Sequence, residues 1–232
     1  MRTLPLLLIA TAFAAAPLTA PAAVRIDTIP PPVVEAAPST TGLETAVLAG
    51  GCFWGIQAVY QHVKGVTNAV SGYAGGAKKD AVYETVSTGT TGNAESVAVT
   101  FDPRVISYGK ILQIYFAVAH DPTQLNRQGP DSGPQYRSEI FPQTDGQRTI
   151  AQGYIAQLDE AQAFPAKIVT KVDAGKAAFF PAESYHQDYA ITHPYQPYIV
   201  FNDAPKVAKL KALFPEAWRD KPVTVAEAMK TN

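Results

Sequence analysis

Cysteine is nearly missing from this chain. Cys52 is the one thiol in 232 residues, so an internal disulfide is excluded. An excess of charge of one sign is missing too. Lys and Arg number 19 against 20 Asp and Glu, a formal net charge of −1. That balance excludes nucleic-acid binding through a phosphate-neutralising surface, and it gives no sign of a polybasic membrane patch. No internal repeat is found. The apolar run from Leu4 to about Ala16 is shorter than the ~18 to 20 residues of a membrane span. No stop-transfer segment follows it.

What is present describes a globular protein. The sequence is 47% hydrophobic and 10% aromatic, which suits a real core. The length fits one sizeable domain and is short for two. Residues 1–23 combine Arg2, the apolar run and the small-residue stretch Ala20-Pro21-Ala22. They read as a secretory signal peptide, with an uncleaved N-terminal anchor as the alternative. The expectation is an exported protein, periplasmic or secreted, with no stable membrane insertion after cleavage. No cysteine lies near the cleavage pattern to take a lipid. An odd thiol sent to an oxidising compartment should be reactive or shielded. Residues 24–42, rich in Pro, Ala, Ser and Thr, read as an extended linker without a core of its own. The domain is expected over 43–220, with 221–232 a loosely ordered tail.

Within the domain, "ETAVLAG" predicts a buried strand ending at Gly50 and Gly51. "CFWGIQAVYQHVKG" predicts a helix: Phe53, Ile56, Val59, Tyr60 and Val63 recur at helical spacing, and Gly65 is a natural stop. "VTNAVSGYAGG" and "ESVAVTFDP" predict two further strands, the second with Val97, Val99 and Phe101 on one face. Ser107 is a candidate N-cap for a helix over "SYGKILQIYFAVAH". The long segment "DPTQLNRQGPDSGPQYRSEIF" predicts a functional loop. A helix in "DGQRTIAQGYIAQLDEAQAF" and a strand in "AKIVTKVDA" follow. The interleaving predicts an α+β or α/β fold with helices against one mixed sheet.

Cys52 falls in the first turn of the helix after a strand. A helix N-terminus carries partial positive charge and free N–H groups, so the thiol pKa is expected to fall. A small buried hydrophobe remains an equal reading for a free cysteine. Phe53 and Trp54 diverge on a helix, so one of them should wall the same mouth as Cys52, although aromatics are mostly core. Glu95 opens an apolar strand after a glycine-rich turn. Desolvated there, it could hold a proton at neutral pH and act as an acid; a solvated strand-end glutamate is the plainer alternative. His62 lies too far along the helix to reach Cys52. His120, His186 and His193 leave a Cys-His hydrolase open on composition.

Five stretches then carry a resemblance: "GCFWG", "SGYAGG", "GNAESVAVTFDP", "GPQYRSEIF" and "FFPAESYHQDY". In that order and spacing, over residues 43 to about 200, the chain resembles the peptide methionine sulfoxide reductase A family. The resemblance implies an α+β two-layer sandwich with a ferredoxin-like core and long irregular C-terminal segments. It implies thiol-dependent reduction of methionine-S-sulfoxide, free or in proteins, and so repair of oxidised exported proteins. Cys52 is then the nucleophile, passing through a sulfenic acid, and Glu95 the proton donor to the sulfoxide oxygen. Tyr83 and Tyr136 hydrogen-bond that oxygen. Phe53 and Trp54 form the pocket for the S-methyl group, and Asp131 is a polar substrate contact. Tyr73 reads as structural. Glu183 and His186 fit the family motif without an assigned chemical role. No metal or organic cofactor is implied.

In one respect the chain departs from many family members. It lacks the C-terminal cysteines that resolve the sulfenic acid. The resemblance therefore implies an external reductant: a thioredoxin-like or glutaredoxin-like protein, or a small thiol. A monomer is expected. Two other classes compete with this expectation, another single-cysteine enzyme (hydrolase or peroxidase) and a non-catalytic module that binds oxidised methionine.

Overall fold

The computed structural model describes residues 29–35 and 42–230. The signal peptide expected over 1–23 lies outside the described residues, as do 24–28 and 36–41 of the expected linker.

The core is a six-stranded mixed sheet. Its strands are β1 Glu44–Gly50, β2 Val66–Ala74, β3 Ala94–Phe101, β6 Ser138–Phe141, β7 Lys171–Val172 and β8 Phe179–Pro181, in the order β7-β6-β1-β3-β2-β8. Among the described strands of this sheet, only β6 and β7 pair in parallel. Two further short strands, β4 Arg127–Gln128 and β5 Asp131–Ser132, form a separate antiparallel ribbon. The longer helices are α1 Phe53–Gln61, α3 Tyr108–Ile114, α4 Asp145–Glu160 and α6 Ala204–Leu213. Among the described residues there are also three single-turn α-helices, α2 Tyr83–Val86, α5 Tyr189–Thr192 and α7 Val225–Ala228. This is an α+β fold, as the sequence indicates.

β1 reads as a continuous apolar run because both of its faces are covered. Ala46 and Leu48 face the main core, and Val47 and Ala49 face a smaller cluster with Phe141. Val97, Val99 and Phe101 of β3 all join the main core. Each such side chain is worth roughly 1.5–3 kcal/mol of burial. α1 carries no solvent face: Ile56, Val59 and Tyr60 are fully buried. Even its glutamines are internal. Gln57 Nε2 donates to the Ala69 carbonyl and to Gln187, and Gln61 Nε2 donates to Asp188. Ser107 caps α3 by accepting from Lys110 N at 3.0 Å, as its position predicts. α3 then opens into a π-helical turn, Tyr115–Ala119.

Three expectations need correction. The long loop after His120 contains β4, β5 and the strand β6, whose four residues are all buried. The loosely ordered tail is instead anchored: Thr224 caps α7, and the Val225 amide donates to Asp188 at 3.0 Å. The linker without a core of its own is docked where it is described. Ile29 is buried in the main core. The carbonyls of Ile29, Pro30 and Pro31 accept from Gln113, Tyr154 and Gln157, and the Glu35 carboxylate accepts from Ser107 and the Gly109 amide at the start of α3. A proline-rich segment has no internal hydrogen bonds, so its carbonyls are free for such docking.

Candidate active site

Backbone geometry places Cys52. β1 ends through Gly50 and Gly51, and Gly51 takes a φ of +96°, where a side chain is strained. A Cβ on Gly51 would also lie 2.5 Å from the Gln128 side chain. The chain turns there into α1, with Cys52 as the N-cap residue. Under the turn, the Tyr115 hydroxyl donates to the Ala49 carbonyl at 2.5 Å.

Eight side chains line one recess of about 200 Å³: Cys52, Phe53, Trp54, Tyr83, Glu95, Asp131, Tyr136 and Tyr198. All seven residues singled out from the sequence as catalytic or substrate-binding are among them. They arrive from α1, α2, β3, β5 and the 134–136 turn. Arg137 holds that last turn in place. Its guanidinium bonds Glu139 at 2.6 Å and donates to the Pro134 and Gly92 carbonyls.

Glu95 is 3% exposed. Burial pushes its pKa from the ordinary 4.5 up to about 8, against the hydrogen bond it accepts from the Phe53 amide. That bond, 3.0 Å long, pins Oε2 at the start of α1. At neutral pH the carboxyl therefore holds its proton, which favours the acid reading over the solvated one. Tyr83 and Tyr136 are also pushed up by burial and then by the Glu95 charge. Both stay protonated donors.

The expected depression of the Cys52 pKa is not found. The thiol is 8% exposed, and burial drives its pKa well upward, followed by the charges of Glu95 and Asp203. The Trp54 amide and Lys206 pull the other way but do not prevail. Desolvation of an anion outweighs the partial charge of one helix end. A protonated Glu95 withdraws its own share of the repulsion.

No histidine lines the recess. His62 stacks on Trp218, and its Nδ1 pairs with the Arg219 carbonyl. His120 is buried against Tyr115 and Thr170, and His193 is exposed. His186 sits behind Phe53 and Trp54. The Cys-His arrangement is therefore not built.

Tyr73 is structural as read: its hydroxyl donates to Glu183 at 2.9 Å. The other Glu183 oxygen accepts from the Tyr83 amide at 2.9 Å, so Glu183 fixes the start of α2. Sequence reasoning missed Tyr198, which donates to Asp131 Oδ2 and meets Trp54 edge-on. It directly precedes the π-helical turn Ile199–Asp203, a kind of irregularity often found at functional sites. No motif in the sequence pointed to it.

Residues 44–218 match the family model described as peptide methionine sulfoxide reductase. A peptide methionine sulfoxide reductase MsrA 2 of Mesorhizobium japonicum is 64% identical over 81% of this chain and 95% of its own length. Another MsrA 2, from Synechocystis sp., is 50% identical over 79% of this chain and 86% of its own. Among solved structures, methionine sulfoxide reductase A of Corynebacterium diphtheriae is similar at 31% identity and a TM-score of 0.58, covering 70% of this chain and 81% of that one. Mxr1 from Saccharomyces cerevisiae in reduced form gives 29% identity and 0.58, covering 69% and 91%.

Proposed function

The chain belongs to the peptide methionine sulfoxide reductase family, and on that premise we propose roles for each wall of the recess in reducing methionine-S-sulfoxide. The reaction is an oxidoreduction at sulfur that takes a thiol reductant and no prosthetic cofactor. The observation that carries the assignment of roles is the convergence of one thiol, the protonated Glu95 carboxyl and the phenols of Tyr83 and Tyr136 on a single small cavity.

The S-methyl group enters between Phe53 and Trp54. The sulfoxide oxygen then meets the Tyr83 and Tyr136 hydroxyls and the Glu95 carboxyl. As Cys52 Sγ attacks the sulfoxide sulfur, oxygen gains basicity and takes the Glu95 proton. The hydroxyl then passes from the substrate sulfur to Sγ: the substrate S–O bond and the Sγ–S bond made in the attack both break, an Sγ–O bond forms, sulfide leaves, and Cys52 is left as sulfenic acid. The Cys52 thiol proton replaces the one given up, so the step balances with no outside proton. Sulfoxide sulfur is reduced by two electrons and the cysteine sulfur oxidised by two. Asp131, held by Tyr198, is the polar contact for the rest of the substrate. Cys52 has no partner cysteine, so a thioredoxin-like or glutaredoxin-like protein or a small thiol returns it to the thiol, releasing water and a disulfide. The signal-like residues 1–23 and the lone thiol support an exported, monomeric enzyme acting on oxidised exported proteins.

The test is turnover of separated S and R methionine sulfoxides with excess dithiothreitol. Consumption of the S epimer alone, abolished in a folded Cys52→Ser variant, is the expected result. Equal consumption of both epimers, or persistent turnover by the serine variant, would overturn the assignment.

A further inference from the structure

Phe53, Trp54 and Tyr83 come from two different helices, yet one side chain stands behind all three. His186, 3% exposed, lies with its ring centroid 5.0 Å from Phe53, 5.8 Å from Trp54 and 4.6 Å from Tyr83. It does not line the recess. The Trp54 indole Nε1–H donates to His186 Nδ1 at 3.3 Å. An indole nitrogen can only donate, so Nδ1 is unprotonated and the proton sits on Nε2. Burial lowers the His186 pKa, which agrees with that neutral form. Nε2 finds no hydrogen-bond partner among the described residues, with Glu183 Oε2 at 3.9 Å. One face of the Trp54 indole is covered by Tyr189, stacked at 3.9 Å and 13°. The indole is thus held by one stack, the Tyr198 edge contact and one hydrogen bond.

We propose that His186 is a positioning residue for the S-alkyl pocket: by anchoring the Trp54 indole and backing Phe53 and Tyr83, it sets the slot width and so the preference for S-methyl over longer S-alkyl sulfoxides. The proposal rests on the reading of Phe53 and Trp54 as the methyl pocket. With the indole hydrogen bond gone, the Nε1 edge loses its polar anchor to His186, and only the Tyr189 stack and the Tyr198 edge contact oppose a shift of the ring about χ1 and χ2. The slot widens while Cys52 and Glu95 stay where the backbone puts them.

The experiment compares wild type, His186→Leu and His186→Asn on the S epimers of methionine sulfoxide and ethionine sulfoxide, with dithiothreitol in excess. The Asn amide oxygen falls at the place of Nδ1 and keeps an acceptor; Leu fills similar space and offers none. The Leu variant is expected to raise KM for methionine sulfoxide roughly three- to ten-fold, the worth of one hydrogen bond, with kcat changed far less. Its methyl-over-ethyl ratio of kcat/KM should fall by a similar factor, and Asn should restore most of both. Equal behaviour of Leu and wild type, or an equal loss in Leu and Asn with the ratio unchanged, overturns the proposal. Should Leu fail to fold, the indole proton of Trp54, assigned with Trp218→Phe, decides on the otherwise native protein. Slow exchange supports the anchor, and exchange as fast as a free indole refutes it. A wild type that reduces neither sulfoxide sinks the reductase reading, and the same indole proton still decides the His186 contact.

Discussion

Replacing Glu95 with Gln should make this protein more stable and nearly inactive, and pH separates the two effects. Glutamine copies the shape of the protonated acid. Its amide oxygen can still accept from the Phe53 amide, and its NH₂ can still donate into the recess. What it lacks is a proton to give up. In the wild type, the Glu95 pKa is raised from 4.5 to about 8 by burial. Below pH 4.5 the carboxyl is protonated in both the folded and unfolded chain and contributes no difference. Between 4.5 and 8 the unfolded chain ionises while the folded one does not. Native stability then falls by about 1.4 kcal/mol for each pH unit, about 3 kcal/mol by pH 7. Above pH 8 both forms ionise and the loss stops growing. Glu95→Gln carries none of this penalty. Urea denaturation of both proteins at pH 4.5, 6, 7 and 8 should show the variant gaining on the wild type in step with pH. Turnover should drop about 100-fold or more, the usual worth of a positioned acid. A stability difference that stays flat from pH 4.5 to 8 would refute the claim that the native site holds a proton on Glu95. An unchanged rate would refute its acid role.

Two further changes test the scaffold. Gly51→Ala should lower stability by about 1–3 kcal/mol from φ strain alone, and more from the Gln128 clash; thermal melting reads it, and an unchanged melting temperature would contradict the turn geometry. Glu35→Ala should cost about 1 kcal/mol through loss of the extra cap on α3 while leaving kcat as it was, so a fall in kcat would show that the docked segment reaches the site.

The site was largely legible because its residues sit at element junctions with loud local signals. Glycines before Cys52, a glycine turn before Glu95 and a Pro-Gly-rich loop around Asp131 and Tyr136 all mark places where backbone is bent for a purpose. Helical spacing located α1 and alternation located β3, while β1 showed as a short apolar run because both of its faces are covered. Tyr198 carried no such mark. Its place depends on a π-helical turn, and one extra residue per turn leaves no trace in a 3.6-residue pattern. The role of Glu183 was equally hidden, because it braces Tyr73 and Tyr83 from more than 95 residues away in sequence. The thiol was misjudged for a different reason. Helix position can be read from a sequence, but the depth of burial that opposes it is a property of the assembled fold. β6 was lost because four residues inside a turn-rich stretch give too short a pattern to register.

The docked segment Ile29–Glu35 also orders events in time. Its Glu35 carboxylate waits for Ser107, 72 residues further on, and its Pro31 carbonyl for Gln157, 126 residues on. Contacts closed over such spans carry a closure cost that local helices do not and are expected to form after the helices they join. So a part of the chain that emerges early is among the last to be fixed. The finished body is latched from the outside, and the latch can close only on helices α3 and α4 that already stand side by side.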